Sequence, residues 1–317
     1  MNVSILIPCH NAERWIATAI RSALEQTWQN KEVIVVDDGS TDRSLDVIRS
    51  FGNAIRYETG PNRGGNVARN RLLELSEGEW LQYLDADDYL LPSKIERQLS
   101  EFDQSKVDVA YTPTILEYWT ESQMRKREVL PLTGAHDAWV ELVRWLLPQT
   151  GASMWRRSAL RDVGNWQPDQ PCCQEHELYY RLLVARKSFQ FCPTAGAVYR
   201  QWSTGTICRK NPLQTLTRRL AIVEAAEQHL CQARELTDER RDAIAFARLE
   251  CARSIYQLDR RAALRVAAQA RRMHPTYKLA ASRRFPRAYR GLYAALGFQA
   301  AEAVAAIVRP WRPRRTQ

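Results

Sequence analysis

The 317 residues contain no run of 18 apolar residues free of charge, so the sequence predicts no helix that crosses a bilayer. No basic flank or small-residue cleavage site accompanies the first apolar segment, Val3 to Ile7, which speaks against a secretory signal. None of the seven cysteines (9, 172, 173, 192, 208, 231 and 251) pairs with another at CxxC spacing. That excludes a zinc ribbon or a disulfide framework and predicts a reduced, cytoplasmic setting. His136, His229 and His274 have no ligand-like spacing, and no internal repeat is present. With 45% hydrophobic and 26% charged residues, wholesale disorder is excluded as well.

Acidic residues are the other scarcity, but only locally. Residues 1–211 carry 25 Lys and Arg against 27 Asp and Glu, whereas residues 212–317 carry 21 against 9. Beyond Arg260 the only acid is Glu302. The net charge of +10 therefore belongs to a basic extension following a near-neutral domain, and the sequence predicts a boundary near 211/212.

The first hundred residues alternate short apolar runs with helical patterns at βαβ spacing, which predicts an α/β fold with a mostly parallel central sheet flanked by helices. Strands are expected at Val3–Ile7, ended by Pro8, then at Glu32–Val36, Ile55–Glu58 and Trp80–Leu84. Helices are expected over Ala12–Glu25, after Thr41 or Asp42, after the Gly60–Gly65 turn to about Leu75, and from Pro92 to about Phe102. Residues 107–209 read as mixed, with helices at Trp139–Leu147 and Gln174–Ala185 and strands near Ala152, Phe189 and Ala197. Past Pro212 the chain is Ala- and Arg-rich with helical periodicity.

Each early strand ends in polar residues: His10-Asn11, Asp37-Asp38, and Asp85-Ala86-Asp87-Asp88. In an open α/β sheet the crevice beyond the carboxyl ends of parallel strands collects ligands, so these clusters are expected on one rim. Alternating carboxylates put like charges together, which is unfavourable unless a cation joins them. A hard divalent ion on one or two carboxylates takes its other ligands from water and substrate phosphates. Read alone, Asp85–Asp88 is also compatible with a solvated loop or helix cap, and Asp38-Gly39 with a turn.

In order, Val3–Asn11, Ser22–Thr27, Val35–Asp42, Asn66–Asn70 and Tyr83–Asp88 resemble the motifs of the family 2 glycosyltransferases, inverting enzymes with the A-type nucleotide-diphospho-sugar fold. The resemblance is strong to about residue 102 and fades by 209. It implies that residues 1–105 form a nucleotide-sugar-binding half and residues 106–211 an acceptor half. Pro8 would begin the loop cradling the nucleoside, with His10 standing where many relatives carry Tyr. Asp38 would read the base and Arg69 lie against it. Asp85 would sit near the ribose or a metal-bound water, and Asp87 would bind Mn2+ or Mg2+.

The catalytic base implied is Glu175, from aligning Gln174-Glu175-His176-Glu177-Leu178-Tyr179-Tyr180-Arg181 with a family pattern in which an acid stands at the place of Gln174. Glu177 and His176 are the other candidates. Arg200, before the stretch Ser203–Thr206, would steady the diphosphate, unless it is a surface arginine. Trp166 and Trp202 are candidates to stack on a sugar. The donor expected is a nucleotide-diphospho-sugar, UDP-linked by preference, and the acceptor a glycan or lipid-linked hydroxyl in surface polysaccharide or cell-envelope synthesis. The basic extension would meet either an anionic inner-membrane surface or its own helical bundle, and nucleic acid is not expected. Alternatives are a binding or scaffold protein on the same fold, or a nucleotidyltransferase, which would need a Gly-rich basic loop where Pro8–Asn11 stands.

Overall fold

The computed structural model describes residues 2–120, 123–130, 132, 137–202, 211–282 and 284–308. It divides into two compact units, Met1–Lys210 and Asn211–Gln317.

The first unit is built on a seven-stranded sheet in the order β10-β6-β9-β4-β1-β2-β3. Its strands are β1 (Val3–Cys9), β2 (Lys31–Asp38), β3 (Arg56–Gly60), β4 (Trp80–Tyr83), β6 (Val109–Tyr111), β9 (Ser153–Arg156) and β10 (Phe189–Phe191). Pairing is parallel except at β9, which runs against β4 and β6. The near-continuous Val, Ile and Leu of β1 and β2 reflect burial on both faces, under helices α1 (Ile16–Leu24), α2 (Ser44–Arg49), α3 (Gly65–Leu75) and α4 (Lys94–Ser100). The order reverses between β1 and β4, and that switch point opens a crevice at their carboxyl ends.

A second sheet, β5-β11-β7-β8, comprises Tyr89–Leu90, Ala197–Trp202, Thr114–Trp119 and Met124–Val129. Because β5 follows Asp85–Asp88 directly, this sheet ties the acidic turn to β11. Helices α5 (Ala138–Val143), α6 (Arg157–Asp162) and α7 (Gln174–Val184) complete the unit.

Strand β1 and helix α1 depart from expectation at the crevice edge. Strand β1 runs through Pro8, which registers with Val36, so the loop starts at His10. Helix α1 starts at Ile16 rather than Ala12, because the chain first makes a turn (Trp15 N donates to Ala12 O, 2.8 Å) and Trp15 is non-helical at φ −121°. Ala12 N donates to Ser44 Oγ (2.8 Å) and Glu13 N to an Asp42 carboxylate oxygen (3.0 Å). Asn11, at φ 49°, accepts from Thr41 N (2.8 Å) and bends the chain there.

The second unit is helical: α8 (Pro212–Gln232), α9 (Asp238–Ile255), α10 (Arg260–Met273) and α11 (Arg287–Val308), the last interrupted at Gly297 (φ 79°). Its core gathers Phe246, Leu249, Ile255, Phe285, Tyr289 and Phe298. A buried two-pronged pair, Arg248 with Glu227 (2.9 and 2.6 Å), joins α9 to α8.

Candidate active site

The switch-point crevice is a cavity of about 600 Å³, lined by Pro8, His10, Asp38, Arg69, Asp85, Asp87, Glu175 and Arg200 among others. Strand ends β1, β2 and β4 deliver the first clusters, and α3, the amino end of α7 and β11 deliver the rest.

Of the Asp37-Asp38 pair only Asp38 lines the cavity. Asp37 points inward and accepts from Thr59 Oγ1 (2.7 Å). The Asp38 carboxylate accepts from Arg63 N (2.7 Å) and Gly64 N (2.9 Å), fixing the 62–64 loop at the cavity edge. Gly39 lies at φ 66°, and a Cβ there would stand 2.5 Å from Asn62 N, so only glycine lets the two loops close. His10 Nδ1 lies 2.9 Å from the Asp38 carbonyl oxygen, and the Asn62 amide sits against the same ring.

Arg69 is buried, with Nη2 on Asp85 (2.8 Å), Nη1 on Asn66 (3.1 Å), and its guanidinium over the Trp166 ring at 5.0 Å. The arginine thus positions Asp85. Trp166 itself is 1% exposed, packed against Tyr83 and Trp155, and so is a core residue rather than a sugar platform.

Burial, and then the charge of Asp85, push the Asp87 carboxyl up to about 6. Asp88 is deeper; burial and its two acidic neighbours raise it well above the usual carboxylate range. One of its oxygens accepts from Arg200 N (2.8 Å), so this acid ties the turn to β11. Among the described residues no cluster of three or more His, Cys, Asp or Glu could cage a metal unaided. The donor set of Asp85 and Asp87 nevertheless fits a hard cation that shares its shell with a phosphate ligand: both acids line the cavity, and the charge of Asp85 helps hold Asp87 reluctant to ionise.

Glu175 stands in the first turn of α7, and Thr150 Oγ1 donates to its Oε1 at 2.6 Å. The preceding Cys173 takes the left-handed conformation (φ 58°), turning the chain into the helix at the cavity wall. Glu177 faces away in a two-pronged pair with Arg181 (2.7 and 2.8 Å), and His176 is buried flat against Trp145 at 3.7 Å. Of the three candidate bases, Glu175 is the one that lines the cavity.

Arg200 is 6% exposed, not a surface residue. Its guanidinium lies 4.6 Å from the Tyr89 ring, 5.2 Å from Trp15 and 5.7 Å from Trp119, with Nη1 3.4 Å from the Asp87 carbonyl oxygen. Burial lowers its proton affinity, the sign of a cation short of solvation. Trp202 ends β11 stacked on Trp15 at 4.0 Å. The Ser203–Thr206 stretch and His136 lie outside the described residues.

Sequence reasoning passed over Asn66, Asn70 and Thr150. Asn66 Nδ2 donates to the Gln167 carbonyl (2.6 Å), while Asn70 donates to the Trp166 carbonyl (2.8 Å) and accepts from Trp166 N (3.0 Å). Together they moor to α3 the loop that leads to Glu175. Their signal was the Asn66–Asn70 motif itself, from which only Arg69 had been given a role.

The profile of the glycosyl transferase family 2 matches residues 4–164, about half of the chain. The chain belongs to glycosyl transferase family 2. An uncharacterized glycosyltransferase of Haemophilus influenzae is 38% identical over 102 residues, 31% of this chain and 41% of that one. An Escherichia coli UDP-Glc:alpha-D-GlcNAc-diphosphoundecaprenol beta-1,3-glucosyltransferase is 34% identical over 117 residues, covering 36% and 47% respectively. The chain thus matches less than half the length of these curated family members. Among solved structures, residues 1–349 of Staphylococcus aureus TarS with UDP-GlcNAc align at TM-score 0.64 and 16% identity, covering 98% of this chain and 93% of that one. The mannosyltransferase PcManGT of Pyrobaculum calidifontis, with GDP-Man and Mn2+, aligns at 0.53 and 16%, covering 98% and 81%. These likenesses establish the family's A-type α/β fold.

Proposed function

We propose that this transferase moves a sugar from a nucleotide-diphospho-sugar to an acceptor hydroxyl with inversion at the anomeric carbon. The observation that carries the reading is that one cavity, at the sheet's switch point, gathers Asp38, Asp85, Asp87, Glu175 and Arg200. Asp38 and the loop it holds receive the nucleoside beside His10. Asp87, with Asp85 held by Arg69, would hold Mn2+ or Mg2+, which when bound neutralises charge on the departing diphosphate. Arg200 supplies a second, fixed positive charge toward the same phosphates, and its aromatic surroundings keep it desolvated and therefore strong.

Glu175 accepts the proton of the acceptor hydroxyl while that oxygen bonds to the anomeric carbon and the carbon–oxygen bond to the diphosphate breaks. Thr150 keeps the carboxylate turned toward the cavity. A single displacement of this kind needs no protein nucleophile and inverts configuration. The nucleotide-sugars named for TarS and PcManGT support the donor class, with a UDP-sugar favoured. The lipid-diphosphate substrate named for the E. coli relative supports an acceptor in surface polysaccharide or cell-envelope glycan synthesis.

The test is calorimetric titration of the full chain with UDP, dTDP and GDP, each with and without Mn2+ or Mg2+. Metal-dependent binding of one nucleotide, lost in Asp87→Ala, is expected. A folded protein that binds none of them would overturn the reading.

A further inference from the structure

The second unit carries a surface that the transfer reaction leaves unexplained. Helix α10 buries Ala263, Ala267 and Ala270 and turns outward Arg261, Arg265 and Arg272, which fall on one stripe at helical spacing. Arg260 and Arg271 are exposed beside them. The single acid beyond Arg260 offers no compensation: Glu302 is 0% exposed and faces inward, 3.4 Å from Arg253. Among the described residues from Arg260 to Ile307, then, no carboxylate reaches solvent.

Helix α11 adds an apolar face. After the break at Gly297 it buries Phe298, Ala301 and Glu302, while Gln299, Ala303, Val304, Ala306 and Ile307 are exposed, Ile307 at 85%. Leu296, at the break, is 63% exposed. An outward helix face normally carries charge, and this one has none. The two helices share one core, in which Ala263, Ala267 and Ala270 of α10 gather with Phe298 and Ala301 of α11.

We propose that this face of α10 and α11 docks on a bilayer rich in anionic lipid, the arginines against headgroups and the side chains of Leu296, Val304 and Ile307 within the acyl boundary. Two features select that partner. A soluble polyanion would engage the arginines but leave the apolar face in water. A second copy of this chain would bring the same arginine stripe against itself. The helices would lie in the interface, for none of the described helices is long and apolar enough to cross it. The proposal is independent of the catalytic reading and is tested without activity.

The experiment is sedimentation of the full chain with phosphatidylcholine vesicles, with and without phosphatidylglycerol. Binding is expected only with the anionic lipid, and should be largely lost at roughly 0.5 M NaCl, where screening is short-ranged. Replacing Arg261, Arg265 and Arg272 by Gln should weaken partitioning by about a hundredfold at low salt. Ile307→Asp should weaken it by about tenfold or more. Since Ile307 is so exposed, that variant folds, and an unchanged circular dichroism melt verifies it. Equal binding to neutral vesicles, indifference to Ile307→Asp, or self-association in place of vesicle binding would each overturn the proposal.

Discussion

At the scale of single residues, the site depends on side chains that hold other side chains. Asp38 holds a loop, Arg69 holds Asp85, Thr150 holds Glu175, and Asn66 and Asn70 hold the segment before α7. Thr150→Val keeps the volume but removes the donor to Glu175. We expect it to lower kcat roughly tenfold with little change in KM for the donor, as loss of about one hydrogen bond's orientation would. An unchanged kcat would remove Thr150 from the account. Gly39→Ala forces a side chain into the left-handed region and against Asn62 N. It should weaken nucleotide binding more than it slows transfer from bound donor, and calorimetry against single-turnover rates separates the two.

Legibility at this scale was uneven for physical reasons. The acids at strand ends were visible because polar residues interrupt apolar runs. The burial of Arg200 was not, because its aromatic neighbours Trp15, Tyr89 and Trp119 come from three distant segments. Trp166 sits in a loop by sequence yet lies under Arg69 in the core, a placement created by its packing on Arg69, Tyr83 and Trp155 together.

At the scale of elements, strands β1, β2 and β4 and helix α7 could be read from the sequence, since burial on two faces or on one stripe writes itself into the residue pattern. Of the second sheet only β11, near Ala197, could be read. Strand β8, Met124–Val129, carries Arg125, Lys126, Arg127 and Glu128 on an exposed edge, and its pairing with β7 stabilises what its composition does not announce. In the helical unit, the buried Arg248–Glu227 pair is the sharpest single point of dependence. Glu227→Ala would strand the guanidinium, and the expected loss of stability is about 3–5 kcal/mol. Denaturant unfolding checks it, and a loss below about 1 kcal/mol would show that the pair is solvated.

At the scale of the whole molecule, one buried base links stability to pH. Lys94 packs beneath Gly196, donates to Gln82, and is pushed down to about 7 by burial. Between that value and the usual lysine range the unfolded chain binds a proton that the folded chain does not. Stability therefore rises with pH across this window, by about 1.4 kcal/mol per pH unit for one proton, and flattens below pH 7. Lys94→Met should abolish that part of the slope; equal slopes for both proteins would show that Lys94 stays charged when folded.

The contrast between a near-neutral first unit and a basic second one was legible in the charge count alone, because net charge per segment needs no fold to be read. What that count could not reveal is that Glu302 faces inward, leaving the exposed surface of α10 and α11 more one-sided than the sequence.

The central claim is that Glu175 is the base of a direct displacement, and Glu175→Gln tests it most directly. Single-turnover transfer should slow by about 10²–10⁴-fold, with affinity for the donor nucleotide and the thermal melt unchanged. Transfer at the wild-type rate would contradict the account and move the search for the base elsewhere on the cavity wall.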